Sequence, residues 1–241
     1  MALHVTESGS GEALVVFVHG VLDRGGSFRR AATALAAECR SVCYDRRGYG
    51  ASSSATGPVG VDVHVADLVA VLDGRKAVVV GHSFGGVPAM GAAVAAPDLV
   101  RALVVYETAM AWAPGWDDTI MQAVFAEGDP EDAALRLMLG DRYDTMTDDE
   151  RARRRRDASA FLAEEASVRT GTPPYDLAAI GAPVVYGRSD ASVMPEVVEH
   201  LRRHVPGLEV VTLPGAGHQA HRGAPEAFAA LVRRGLGLAA H

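Results

Sequence analysis

Residues 77–90 constrain the fold most strongly, because an apolar β run ends there in Gly-x-Ser-x-Gly and continues as a helix of small residues. Glycine at positions 81 and 85 permits a turn so tight that a Cβ would meet the neighbouring backbone. Ser83, between them, is predicted to hold a strained conformation with an exposed hydroxyl, which makes it the candidate nucleophile. The helix that follows directs free N–H groups to the same point, so the amide of Phe84 is a candidate donor to an oxyanion.

Strand and helix patterns alternate over residues 1–106 and again over residues 181–241. This alternation predicts an α/β core with a mostly parallel, doubly wound sheet of about seven strands, in which ligands are met at the carboxyl ends of the strands. At the start of the chain, residues 3–7 and 14–18 are predicted to form a two-stranded hairpin across a glycine-serine turn.

Residues 107–180 lack strand patterns and carry helical stripes instead, which predicts a helical cap or lid inserted between two strands of the core. The third helix of this insertion is expected to begin at a capping box made by Thr147 and Glu150. Because the insertion leaves the sheet at the end where Ser83 lies, we expect it to cover the nucleophile.

Two further predicted strand ends carry side chains suited to serine chemistry. His218 stands on a glycine loop after the last strand, where an imidazole can take the proton of the serine hydroxyl. Asp190 closes a turn after the preceding strand and is favoured as the carboxylate that orients His218. Glu107 also ends a strand and stays open as the alternative acid. After the second strand, Gly20 lets the backbone turn so that the amide of Val21 becomes the second oxyanion donor.

Taken jointly, five motifs resemble the α/β-hydrolase family, and the resemblance covers nearly the whole chain outside the insertion. The motifs are His-Gly at 19–20, Asp-Arg-Arg-Gly-Tyr-Gly-Ala-Ser at 45–52, Gly-His-Ser-Phe-Gly-Gly at 81–86, Gly-Arg-Ser-Asp at 187–190 and Gly-Ala-Gly-His at 215–218. The resemblance implies the strand order of that fold and catalytic roles for Ser83, Asp190 and His218. A serine at the turn separates this chain from branches similar to haloalkane dehalogenases and epoxide hydrolases, which use aspartate there.

The resemblance implies several activities, of which hydrolysis of a small carboxylic ester or lactone through an acyl-serine intermediate is preferred. Carbon–carbon bond hydrolysis or a lyase reaction on the same triad is the alternative among enzymes. A non-catalytic member that binds a small molecule is the alternative outside them. Neither a cofactor nor a metal is expected, and the expected partner is a small-molecule substrate. Met110, Trp112 and Phe125 are expected to line an apolar pocket, although such residues also serve as ordinary helix packing.

A formal net charge of −7 argues against nucleic acid or an anionic membrane surface as a partner, since both require a basic field. The chain starts without a basic segment leading into an apolar run, so a cytoplasmic location is expected. A homodimer is left open. The two cysteines, Cys39 and Cys43, are interpreted as reduced packing residues.

Charged residues outside the motifs at 81–86, 187–190 and 215–218 receive structural interpretations. The Asp45–Arg46 pair is expected to form an ion pair that pins a glycine-rich turn. His64 is expected to be a solvated or edge histidine on a helix and not a ligand. The arginine-rich run at 151–156 is interpreted as a solvated helix face balanced by neighbouring acids. An anionic substrate or a subunit contact is the alternative interpretation of that run.

Overall fold

A seven-stranded sheet forms the centre of the computed structural model, which describes residues 3–55, 57–192 and 194–240. The order across the sheet is β1-β3-β2-β4-β5-β6-β7, and every pair of neighbours except β1 and β3 is parallel. The predicted α/β fold with a mostly parallel sheet is therefore confirmed. The strands are Val5–Ser8 (β1), Ala13–Val18 (β2), Cys39–Tyr44 (β3), Ala77–His82 (β4), Val100–Tyr106 (β5), Val184–Ser189 (β6) and Glu209–Leu213 (β7).

Helices cover both faces of this sheet. They are Arg29–Ala34 (α1), Val61–Leu72 (α2), Gly86–Ala95 (α3), Thr119–Ala126 (α4), Pro130–Leu139 (α5), Asp148–Val168 (α6), Pro195–His204 (α7), Ala220–Gly223 (α8) and Pro225–Ala239 (α9). Leu68, Met90 and Leu201 bring α2, α3 and α7 into the apolar cluster on one face. Phe28 and Phe228 belong to the cluster on the other face, with α1 and α9. Burial on both faces is why these strands are apolar at nearly every position.

The predicted N-terminal hairpin is wrong. β1 pairs with β3 in antiparallel register, with Val5 opposite Tyr44, and β2 lies between β3 and β4. The connection between β1 and β2 passes so close to the start of β3 that a Cβ at Gly11 would lie 2.2 Å from the backbone of Glu38. Glycine at this point lets the chain cross β3, whereas the sequence pattern suggested only a tight turn.

The strand register brings the candidate site residues to one edge of the sheet. His82 lies opposite Tyr106, Tyr106 lies opposite Gly187, and Ser189 lies opposite Leu213. The residues that follow β4, β5 and β6 therefore emerge at the same edge, because parallel strands end side by side.

Between β5 and β6 the described chain is helical, as the sequence predicts. Helices α4, α5 and α6 share an apolar cluster that includes Leu135 and Phe161 and also takes in Leu22 from the loop after β2. Helix α6 begins with the predicted capping box, in which Thr147 and Glu150 bond each other's backbone N–H groups. Trp112, near the start of the segment, packs into the main core cluster. The boundaries of a separate cap at 107 and 180 stay a prediction. In the part of the chain that the structure describes, no helix is long and apolar enough to cross a bilayer.

Candidate active site

Ser83 occupies the turn between β4 and α3. Its φ is +52°, a left-handed value that costs a residue other than glycine on the order of 1–3 kcal/mol. Strand and helix approach so closely here that a Cβ at Gly81 would lie 2.5 Å from the Cα of Gly86. This is the strained turn that the Gly-x-Ser-x-Gly pattern predicts, and it turns the serine into a cavity at the sheet edge.

The loop after β2 lies directly against the serine. A Cβ at Gly20 would lie only 3.0 Å from the Cβ of Ser83, and Val21 lines the same cavity as the serine. The amide of Phe84 belongs to the first turn after the nucleophile. Val21 and Phe84 thus lie on the two segments that flank Ser83, where an oxyanion would need its donors.

The Arg46 side chain is hydrogen-bonded to the backbone of the loop after β2. Its Nε donates to the carbonyl of His19 at 2.8 Å, and Nη2 donates to the carbonyl of Gly20 at 3.1 Å. The backbone N–H of Arg46 donates to Nε2 of His19 at 2.9 Å, so that ring must carry its proton on Nδ1, which lies 2.7 Å from the Gly20 carbonyl. Burial, followed by the charge of Arg46, lowers the pKa of His19 to about 4, which keeps the ring neutral.

The guanidinium of Arg46 pairs with Glu164 of α6, and both side chains are fully buried. Glu164 also accepts a hydrogen bond from the hydroxyl of Tyr49 at 2.7 Å and one from Nε2 of His64 at 2.6 Å. Burial opposes the charge of Glu164, but Arg46 and then His64 outweigh it, so the pKa of this carboxyl lies below its usual value. We call Arg46, Tyr49, His64 and Glu164 the Arg46–Glu164 network. It ties α6 to the loop that carries Val21.

This network corrects two interpretations made from the sequence. Arg46 pairs with Glu164 and not with Asp45, which instead accepts hydrogen bonds from the amides of Gly25 and Ala51, each at 2.9 Å. His64 is buried and not solvated. Both differences arise because the carboxylate of Glu164, which is distant in sequence, enters the core between Arg46 and His64.

His218 lies on the loop after β7, and two strand ends anchor that loop. Nε2 of His82 donates to the carbonyl of His218 at 2.8 Å. The hydroxyl of Tyr106 donates to the carbonyl of Gly217 at 2.9 Å. The imidazole of His218 is about half exposed and faces the cavity that holds Ser83.

The carboxylate beside His218 is Glu107, which differs from the expectation that Asp190 orients this ring. Oε2 of Glu107 lies 3.6 Å from Nδ1 of His218, and Oε1 accepts the amide of Ser189 at 2.7 Å. The Asp190 carboxylate instead accepts a hydrogen bond from the amide of Gly215 at 2.7 Å. Burial raises the pKa of Glu107, but contact with His218 and the Ser189 amide outweighs burial, so the net pKa is lowered.

Strand order explains why Glu107 lies beside His218. The loop that carries His218 bends back over β4 and β5, where His82 and Tyr106 hold it. Glu107 directly follows β5, the neighbour of β4, whereas Asp190 follows β6, one strand farther away. Position after a strand was visible in the sequence, but the path of the later loop was not.

A second polar cluster lies at the same edge. Nε2 of His221 lies 3.3 Å from Oδ2 of Asp23, and Arg222 pairs with the other oxygen of Asp23. Asp23, His221 and His82 form a group whose candidate ligand atoms lie within 4.8 Å of one another. A metal would have to displace or adjoin the Arg222 guanidinium, so the donor set fits an ion-paired support better than a metal site. Burial, followed by the charges of His221 and His218, lowers the pKa of His82 well below its usual value.

The cavity above Ser83 has a volume of about 110 Å³ and is enclosed by the core on one side and the helical segment on the other. Core residues on its wall include Val21, His82 and His218. The residues contributed from the helical segment are Met138, Leu139, Arg142 and Arg154.

The residues that sequence reasoning chose for the substrate pocket lie elsewhere. Met110 is fully buried, and Trp112 packs edge-on against Tyr175 with ring centroids 6.1 Å apart. Phe125 is 39% exposed on α4. None of the three borders the cavity above Ser83, so they belong to ordinary packing or to the outer surface. Arg142 carried no pattern signal, whereas Arg154 was part of the run at 151–156.

Within that run, the arginines differ in what they contact. Arg151 pairs with Asp148, and Arg155 pairs with Asp129, both at the exposed surface. Arg154 lies next to them on the helix surface and borders the cavity. The interpretation as a balanced helix face therefore describes Arg151 and Arg155. It describes Arg154 only in part, because Nη1 of Arg154 lies 3.3 Å from Asp157 while the same side chain also borders the cavity.

Comparison with known proteins agrees with the α/β fold described above. The family model described as the alpha/beta hydrolase family matches residues 15–231. Lipase LipV of Mycobacterium tuberculosis is 40% identical over 136 residues, which cover 55% of this chain and 51% of the lipase. The chain thus matches about half the length of that relative. The 2-(acetamidomethylene)succinate hydrolase of Mesorhizobium japonicum is 28% identical over 94% of this chain and 88% of its own.

Among solved structures, the N-acyl homoserine lactone degrading enzyme Est816 superposes with a TM-score of 0.74. The sequence identity is 23%, and the likeness covers 96% of each chain. At this identity the likeness shows the shared fold.

Proposed function

Because the chain belongs to the α/β-hydrolase family, we propose that it hydrolyses a small carboxylic ester or lactone through an acyl-Ser83 intermediate. The observation that carries the proposal is the convergence of a strained serine and a histidine on one small cavity, with a buried carboxylate behind the histidine. Binding alone requires neither the strain nor the carboxylate.

In the proposed reaction, Nε2 of His218 takes the proton of the Ser83 hydroxyl as its oxygen attacks the carbonyl carbon. The negative oxygen that forms is bonded by the amides of Val21 and Phe84. His218 then gives the proton to the departing alcohol oxygen. Water attacks the acyl-serine in the same way, and Ser83 is restored.

We assign the orienting carboxylate to Glu107. Its Oε2 is the carboxylate oxygen that approaches Nδ1 of His218, and the Ser189 amide fixes its other oxygen. The separation of 3.6 Å is long for a hydrogen bond, and we expect it to shorten when His218 becomes charged during the reaction. Asp190 is assigned a supporting role, because it holds the loop at Gly215.

A matched pair of variants tests the assignment of the acid. Glu107→Gln keeps the shape of the side chain but removes its charge, and we expect kcat to fall by up to about 10⁴, the loss known for the equivalent change in a trypsin-type triad. Asp190→Asn should lose far less, within about tenfold, because an amide oxygen still accepts the Gly215 N–H. A large loss at Asp190 with near-normal activity at Glu107 would reverse the assignment.

Ser83 is tested directly by labelling with a fluorophosphonate. Mass spectrometry should find one adduct on Ser83 and none on Ser83→Ala, and a panel of esters, thioesters and lactones should be turned over only by the protein with serine. A folded protein that neither labels nor turns over any panel member would favour the small-molecule-binding alternative.

A further inference from the structure

Three arginines from three separate segments meet in the cavity above Ser83. Arg142 ends the short turn after α5, Arg154 lies on α6, and Arg222 lies on α8. They gather there although the chain as a whole has a formal net charge of −7. Like charges repel, so a cluster of this kind needs carboxylates or a ligand to balance it.

The carboxylate that lines the cavity does not balance the cluster. Asp23 is the acidic residue among those lining the cavity, and Arg222 and His221 already engage it. Three guanidinium groups against one carboxylate leave an excess of two positive charges on the cavity wall. Asp157, behind Arg154, adds no net charge because Arg24 accompanies it, with its Nη2 3.0 Å from Oδ2 of Asp157.

Arg142 and Arg154 therefore keep donor capacity for a ligand. Among the described residues, no hydrogen bond or ion pair engages the side chain of Arg142. Arg154 uses Nη1 for the carbonyl of Leu22 at 2.9 Å and for Asp157 at 3.3 Å, which leaves its other donors for the cavity. Burial, followed by the charge of Arg24, lowers the pKa of Arg154, so its charge is held at a cost that an anion would relieve.

The size of the cavity limits the anion. A volume of about 110 Å³ is well below the range of several hundred Å³ typical of sites for drug-sized ligands. Met138 and Leu139 give it a short apolar wall beside the arginines. A compact acyl or alcohol group that ends in a small planar anion fits this combination.

We propose that the ester or lactone cleaved at Ser83 carries a carboxylate, which Arg142 and Arg154 bind at the far side of the cavity. A carboxylate is named because its two coplanar oxygens match the fork of guanidinium donors. The inference rests on the proposed function, since it concerns the substrate of the same serine. It gives a role to the donors of Arg154 that the pair with Asp157 does not use.

The test compares two esters that differ only in charge, monoethyl succinate and ethyl succinamate, at pH 7.5. We expect kcat/KM to be at least about tenfold higher for the carboxylate, in line with the strength of charge-assisted hydrogen bonds. Arg142→Gln should remove most of that preference, through a loss of kcat/KM for monoethyl succinate that is much larger than the loss for ethyl succinamate. The matched control is Arg155→Gln, which makes the same change in an exposed arginine of α6 away from the cavity and should preserve the preference.

Protection of Ser83 from fluorophosphonate gives a second readout that does not depend on turnover. Succinate should slow labelling of the wild type, succinamide and inorganic phosphate should slow it much less, and Arg142→Gln should abolish the difference. If Ser83 does not label, the proposed function fails and this inference falls with it. If Ser83 labels but succinate gives no protection and both esters are cleaved alike, only this inference is overturned. Equal protection by phosphate would overturn the choice of a carboxylate.

Discussion

Helix α6 contacts the core through arginine and carboxylate groups at two places, and the two contacts differ in how completely the charges are used. In its C-terminal half, Glu164 is enclosed with Arg46, and Tyr49 and His64 donate to the same carboxylate. In its N-terminal half, Arg154 borders a cavity together with Arg142, and positive charge remains in excess.

The difference shows which charges are architectural and which are available for binding. The buried carboxylate of Glu164 has hydrogen-bond donors on both oxygens, so it is not available to bind a ligand. Removing it would leave the charge of Arg46 uncompensated in the core. An arginine with free donors beside a cavity contributes little to folding and can bind an anion instead. The Arg46–Glu164 network should therefore control stability, and the cavity arginines should control substrate choice.

The largest effect is expected at Glu164. Glu164→Gln keeps the volume of the side chain but directs an amide N–H toward donors and leaves Arg46 without its counter-ion. The free energy of unfolding should fall by about 3–5 kcal/mol, as in other broken buried ion pairs. Denaturant titration at pH 7 measures it. Glu131→Gln, a matched change at a partly exposed surface pair with Arg155, should stay within about 0.5 kcal/mol, and equal losses would contradict the comparison.

The same variant should also slow labelling of Ser83 by fluorophosphonate, because Arg46 fixes the carbonyls of His19 and Gly20 beside the nucleophile. A labelling rate unchanged from the wild type in folded Glu164→Gln protein would confine the network to a stabilising role.

The next effect concerns pH. The pKa of Glu164 is lowered in the folded protein, so the unfolded chain binds more protons and stability rises with pH. The contribution of Glu164 is complete above its unfolded pKa of about 4.5 and is lost as the pH falls through the lower folded value. Wild type should lose up to about 1.4 kcal/mol per pH unit more than Glu164→Gln in that window. Parallel curves from denaturant titrations below pH 4.5 would exclude a charged Glu164.

The Arg46–Glu164 pair also illustrates what the sequence could and could not predict. The turn at Ser83, the parallel sheet and the capping box at Thr147 rest on short local patterns, and the structure has each of them. The family match confirms the predicted hydrolase class. Contacts between distant segments were not visible. Arg46 and Glu164 are 118 residues apart, and nothing in either local pattern indicates the other.

The sequence could not decide between Asp190 and Glu107 for the same reason. Both residues follow strands, so local position could not separate them. The decision depends on the course of the loop that carries His218, which side chains from β4 and β5 determine. The sequence pattern favoured apolar residues such as Trp112 for the substrate pocket, whereas Trp112 packs in the core and the wall of the cavity above Ser83 includes arginines.

A smaller effect on stability is expected at Arg154, which combines both roles. Arg154→Gln loses the bonds to the Leu22 carbonyl and to Asp157, but Asp157 keeps Arg24. We expect the free energy of unfolding to fall by about 1–2 kcal/mol, a value between those of the two contacts of α6. Thermal or denaturant unfolding against Arg155→Gln as control measures it. A loss as large as that of Glu164→Gln would show that the cavity arginine is architectural after all.

The smallest effect on stability, and the sharpest separation of the two contacts, is expected at Arg142. Its side chain is exposed and, within the described residues, has no hydrogen bond or ion pair, so Arg142→Glu should change the free energy of unfolding by less than about 0.5 kcal/mol. The same change alters the charge on the cavity wall by two units. In wild type, added salt should lower kcat/KM for monoethyl succinate and leave ethyl succinamate nearly unchanged, because screening weakens only the charged contact. In Arg142→Glu the carboxylate preference and its salt dependence should both disappear. A variant as stable as wild type that still prefers monoethyl succinate would assign the preference to another group.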